Sequence, residues 1–153
     1  MSKQQSLRAR ITVMVILSLL AFQFELGMAV NIKGQPKLPA FGFSLSAFSD
    51  ALNRVGTVAV IHASLGTWLV VFSIISAIFA IKSAIRSVQI FGSLALLTTI
   101  LAATAGILFT LSGFQMDGYS HGMATMFLLT FSFYFLELYF LKPDPKSKGL
   151  PDK

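Results

Sequence analysis

The chain carries two histidines and no cysteine. His62 sits in RVGTVAVIHASLGTWLVVFSII (54–75) and His121 in DGYSHGMATMFLLTFSFYFLEL (117–138), each near the start of a long apolar run with almost no other ionisable group nearby. Imidazole offers three chemistries in such a setting: an axial ligand to a heme iron, a proton relay or structural hydrogen bond, and a ligand to a non-heme metal. The third would draw on Glu25, Met28, Met116, Asp117 and Met123, since thioether and imidazole suit Cu(I). Methionine is also an ordinary flexible gap-filler, and these residues read as packing first. Without cysteine there is no disulfide, thiolate metal site or cysteine nucleophile.

Small residues accompany both rings. Gly56, Ala59, Ala63 and Gly66 lie close to His62 in sequence, and Gly118, Gly122 and Thr125 lie close to His121. Positions three and four apart share a helix face, so these residues leave room beside each imidazole. In membrane helices small residues ordinarily let two backbones approach, which is how AATAG (102–106) reads. Beside a histidine on two separate segments they also suit a slot for a flat macrocycle. The expected site is therefore a bis-histidine b-type heme with iron ligands His62 and His121. Gly66 and Gly122 line it, and Arg54 is placed to meet carboxylates at its edge.

The elements that must position these residues follow from charge. Only 12% of the 153 residues are charged and 55% are hydrophobic, whereas a soluble domain carries about 25% charged residues. Residues 55–81, 87–116 and 118–136 contain no Lys, Arg, Asp or Glu, and 11–30 are apolar apart from Gln23 and Glu25. About 20 apolar residues cross a bilayer core as a helix. The reading is an all-α polytopic membrane protein, a four-helix transmembrane bundle with spans near 11–31, 54–81, 87–113 and 118–141 in one domain (1–141). A Pro- and charge-rich tail (142–153) follows it. The one long connection, 31–50, holds Pro and Gly, and SLSAFSDAL within it suits a short interfacial helix. An alternative reads the first segment as a signal peptide ending near GMA (27–29).

Lys3, Arg8, Arg10, Lys82, Arg86, Lys142, Lys146, Lys148 and Lys153 fall on one side of these spans, and Lys33, Lys37 and Arg54 on the other. The positive-inside rule then predicts a multi-pass protein of the cell (plasma) membrane with both termini cytoplasmic. It also accounts for the net charge of +6 without a nucleic-acid partner. On this topology His62 and His121 enter from the external side. They lie eight residues after Arg54 and four after Asp117, roughly 6 to 12 Å deep at 1.5 Å per residue. Their helices run in the same direction and can be diagonal partners. Glu25 is expected near the same depth. It is a weak candidate for proton transfer or for a bond to an imidazole or a propionate, or it is simply solvated. Glu137 is expected at the cytoplasmic interface, beside Lys82 or Arg86. The aromatic string FSFYFLELYF (131–140) reads as an interfacial belt.

Several segments resemble heme A synthases. FQFELGMAVNIKGQPKLPAF (22–41) is similar to the end of that family's first helix and its external loop. VIHASLGTWLVV resembles its second-helix histidine region, QIFGSLALLTTILAATAGILF (89–109) its third helix, and SHGMATMFLL the histidine start of its fourth. The usual members hold two four-helix halves, each with a histidine pair, and the resemblance here covers one half, about 11–141. It implies a bis-histidine heme b, and with it either heme A formation in cytochrome oxidase biogenesis or b-type electron transfer. It also implies a homo-oligomer or a respiratory-complex partner within the lipid. Three features depart from the family. Its catalytic glutamate position is Ala59, the arginine that commonly follows the histidine is Ala63, and the loop cysteine pair is absent. This half therefore looks more like the cofactor-heme half than the catalytic one, which leaves enzymatic activity open. The alternative function is a heme-free accessory or assembly subunit of a membrane complex, its small-residue faces serving as seams between proteins. Nothing supports a small transporter, since no Gly/Pro-broken helix pair stands at mid-membrane.

Overall fold

The computed structural model describes residues 3–32 and 39–141. These residues form five helices and no strand: α1 (Lys3–Ile32), α2 (Leu45–Val55), α3 (Thr57–Ile81), α4 (Arg86–Leu111) and α5 (Asp117–Phe140). All except α2 are long and apolar enough to cross a membrane. Lys33, Lys37, Lys142, Lys146, Lys148, Lys153 and the tail lie outside the described residues.

The boundaries have local causes. α1 begins at Lys3 rather than near residue 11 because no Pro or Gly interrupts the polar stretch before the apolar run. In α2, Ser44 is the N-cap, its Oγ accepting from the Ala47 N–H at 3.1 Å. α2 stops at Gly56, whose φ of +110° breaks what the charge pattern alone shows as one span from 54 to 81. Glycine adopts that conformation without the steric cost of a side chain. α3 and α4 are joined by a tight turn in which Gln89 Nε2 donates to the Ser83 carbonyl at 2.7 Å. Between α4 and α5, Gly113 and Phe114 both take positive φ. The Phe114 ring packs edge-on against Phe109, with centroids 5.4 Å apart. The Phe41 N–H donates to the Leu111 carbonyl at 2.8 Å, tying the long connection to the end of α4.

The spanning helices pack as a ring: α1 lies against α3 and α5, and α4 lies against α3 and α5. α3 and α5 are therefore diagonal, as are α1 and α4. Residue pairings give the directions. Gly27 near the end of α1 meets His62 near the start of α3, and Gly106 near the end of α4 meets Met123 near the start of α5. Successive spans are antiparallel, so the two histidine-bearing helices run parallel and enter from the same end. α2 packs across α3 and α4.

Small side chains dominate the buried faces of α3 and α4: Ala59, Ser73, Ser76, Ala77 and Ala80 on one, Gly92, Ala95, Thr98 and Thr99 on the other. Many of the large apolar side chains face outward instead, among them Phe22, Trp68, Leu97 and Leu128. With lipid as solvent there is no reason to hide them, and close backbone approach becomes the source of packing energy.

Candidate functional site

His62 is the sixth residue of α3 and His121 the fifth of α5. Both stand in the first turns at the shared end of the bundle, on diagonal helices. Their surroundings differ. His62 is half-buried and turned toward α1, where its Nε2 lies 3.2 Å from the Gln23 amide nitrogen. That contact is a hydrogen bond when Nε2 accepts, which puts the ring proton on Nδ1. Nδ1 is buried and has no partner, and neither has the Gln23 amide oxygen. Gly27 makes the approach feasible, because a Cβ there would stand 3.3 Å from His62 Cε1.

His121 is exposed on the bundle surface. Its Nδ1 donates to the Asp117 carbonyl at 3.0 Å, an acceptor that fixes the proton on Nδ1 and leaves the Nε2 lone pair outward. The carbonyl acceptor makes Nε2 the basic atom of His121, and the same holds for His62 when the Gln23 N–H donates to it. One lone pair is open and the other holds the Gln23 N–H.

The small residues chosen to flank a slot divide the same way. A Cβ at Gly66 would meet Gln23 Nε2 at 3.3 Å, so the space beside His62 is filled by that amide. Gly118 and Gly122, beside His121, face open space. Arg54 is exposed at the end of α2, its guanidinium 6.0 Å from the centre of the Phe41 ring. Glu25 is exposed and lines a groove between α1 and α5 with Phe22, Phe24, Phe127, Leu128 and Phe131. Met28, Met116 and Asp117 are exposed, and Met123 packs against Gly106. Among the described residues no group of three or more His, Cys, Asp or Glu is placed to hold a metal ion.

The structure overturns the interfacial placement of Glu137. This residue is 0% exposed, and neither carboxyl oxygen has a hydrogen-bond partner. Lys82 and Arg86 stand on the exposed side of the α3–α4 turn. The reason is the face on which Glu137 falls. Thr130, Tyr134 and Glu137 follow at four- and three-residue spacing and share one stripe of α5. All three are buried, with Tyr134 also 0% exposed. Opposite them stand Ser73 and Ser76 of α3 and Thr98 and Thr99 of α4. The Thr130 hydroxyl donates to Thr98 Oγ1 at 2.8 Å and Ser73 Oγ to Thr99 Oγ1 at 3.3 Å. The signal was present in the string TFSFYFLELYF, where the polar positions recur with the helical repeat, but the aromatic residues between them obscured it.

Comparison with protein-family models, curated proteins and solved structures finds no match for this chain. The fold itself defines the class: an all-α, multi-pass membrane protein whose four spanning helices form one bundle.

Proposed function

We propose that the protein is a heme-binding protein of the cell membrane with both termini cytoplasmic, in which His62 and His121 are the axial ligands of a b-type heme. The observation that carries this reading is the pair of imidazoles in the first turns of two parallel, diagonal helices at one end of the bundle. The Asp117 carbonyl orients the His121 ring, the service that outer partners give to ligating imidazoles, and the ring would turn inward from the surface to share an iron with His62. His62 would hold the iron only with the Gln23 amide moved from its ring, which would also open the space beside Gly66. Arg54, exposed at the same end, is the carboxylate partner for propionates. A heme held this way supplies a one-electron iron couple in a water-poor setting.

Electron transfer is favoured over heme modification. The position at which heme A synthases carry their catalytic glutamate is Ala59, buried in the bundle with no carboxylate in its place. The resemblance to that family keeps heme A formation and oxidase biogenesis as the setting, with a second copy or a respiratory complex as partner.

A specific observation favours a second reading, a heme-free accessory subunit. Gln23 already fills the space beside His62, and Gly118 and Gly122 present an open face that suits a neighbouring chain. The test is the reduced-minus-oxidised absorption spectrum of the protein purified in mild detergent from heme-replete cells, with His62→Ala and His121→Ala alongside. A sharp low-spin α-band, lost or made high-spin in both variants, supports ligation. A colourless, folded wild type that takes up no added hemin replaces it with the accessory role.

A further inference from the structure

The most costly group in this bundle is remote from either histidine. Glu137 lies one turn from the inner end of α5, fully buried, with Oε1 and Oε2 both unpartnered. Two further buried oxygens nearby lack partners, Ser76 Oγ and the Tyr134 hydroxyl. Ser76 is close enough to act on the carboxyl without reaching hydrogen-bond geometry, and the Tyr134 hydroxyl faces Ser73 and Thr99. An orphaned polar group inside a membrane protein is expensive, an orphaned charge far more so. Such a residue is kept where it has something to bind.

Space decides what that is. A Cβ on Gly92 of α4 would already stand 3.3 Å from Glu137 Cδ and Oε1 and would clash with Ala80 of α3. Helices are packed against the carboxyl from both sides. A dehydrated metal cation needs about six oxygen ligands and a water needs a cavity. A proton needs neither. With one proton added, the carboxyl gains an O–H donor for the neighbouring Ser76 hydroxyl oxygen. A neutral carboxyl also removes the buried charge, which is the larger cost.

We infer that Glu137 is a proton-binding site inside the bundle, taking a proton from water at the α3–α4 turn end and returning it there. The groups facing it are Ser76 and Ala80 from α3, Gly92 from α4 and Tyr134 on α5. No cation pairs with it among the described residues. Arg10 of α1 has a buried Nε, but that atom too lacks a partner. Above Tyr134 the hydroxyls of Ser73, Thr99, Thr98 and Thr130 extend the polar column toward the middle of the span. This assignment does not depend on the heme.

The test is reaction of the full-length wild type, in native membranes, with dicyclohexylcarbodiimide, an apolar reagent that adds across a protonated carboxyl. Adducts are mapped by mass spectrometry. The expected result is an N-acylurea on Glu137, formed more slowly as pH rises, lost in Glu137→Gln and indifferent to sodium ion. A second readout needs no reagent. The infrared carbonyl band of a protonated acid should be present in wild type, absent in Glu137→Gln and shifted in Tyr134→Phe. No adduct on Glu137 together with no such band overturns the proposal, and so does protection by sodium, which would mark a metal-cation site instead.

Discussion

The Gln23 amide nitrogen and His62 Nε2 meet at 3.2 Å across the α1–α3 seam, while the Gln23 amide oxygen and His62 Nδ1 stay without partners. That pairing makes His62 two things in turn, a packed interhelical contact and a ligand whose lone pair can be exchanged.

Replacing Gln23 with Leu separates the two roles. The hydrogen bond is lost, at a cost of about 0.6 kcal/mol and at most about 2, the range found for interhelical bonds in membranes. The competing donor is lost as well. Gln23→Leu should therefore keep or strengthen the low-spin heme band, whereas His62→Ala abolishes it. Heme titration of both variants, followed by absorption, checks this. A band lost equally in the two would mean that Gln23 holds the site and His62 does not.

Gly92 and Gly122 are both glycines within helices, yet they should respond oppositely. A methyl group at Gly92 runs into Ala80 and the Glu137 carboxyl, while one at Gly122 meets nothing. Overpacking of that kind costs about 1–3 kcal/mol, so Gly92→Ala should lower thermal stability in detergent. Gly122→Ala should leave it unchanged or raise it by up to ~1 kcal/mol, because alanine is the better helix former. Melting curves of the two variants decide it. Equal destabilisation would show that the Gly122 face is covered, as the accessory-subunit reading requires.

Orientation is open to a direct test because the chain has no cysteine. Ser46 near the start of α2 and Ala84 in the α3–α4 turn are both exposed and lie at opposite ends of α3. With cytoplasmic termini, Ser46→Cys should react in intact cells with a membrane-impermeant maleimide, and Ala84→Cys only after permeabilisation. The reverse pattern would invert the topology and move Glu137 to the external end.

Much of the architecture is legible in one dimension. Charge-free runs of helix-spanning length are a property of composition along the chain, so the four spans and the polar breaks within 82–87 and 112–120 can be read from residue types alone, and the structure narrows the breaks to 82–85 and 112–116. The short helix within the long connection can be read too, from SLSAFSDAL, while its cap at Ser44 is seen only in the structure. In the sequence Gly56 is only a small neighbour of His62 and not a helix break, because whether a glycine takes positive φ depends on the path the chain must follow.

The candidate site divides along the same line. Sequence placed both histidines at one end of parallel helices, since that depends only on span order and depth. Which way each ring turns is a matter of neighbours: the contact of α1 with α3 brings Gln23 to His62, and α5 leaves His121 outside. Glu137 shows the limit most clearly. Its distance from the helix end, which the sequence states, suggested an interfacial carboxylate. Its azimuth, set by how α5 packs between α1 and α4 and brings that face up to Ala80 and Gly92, made it the buried acid of the bundle. Depth in a membrane is counted in residues. The choice between lipid, water and protein interior at a given depth is made by the rotation of one helix against another, and only the tertiary packing determines it.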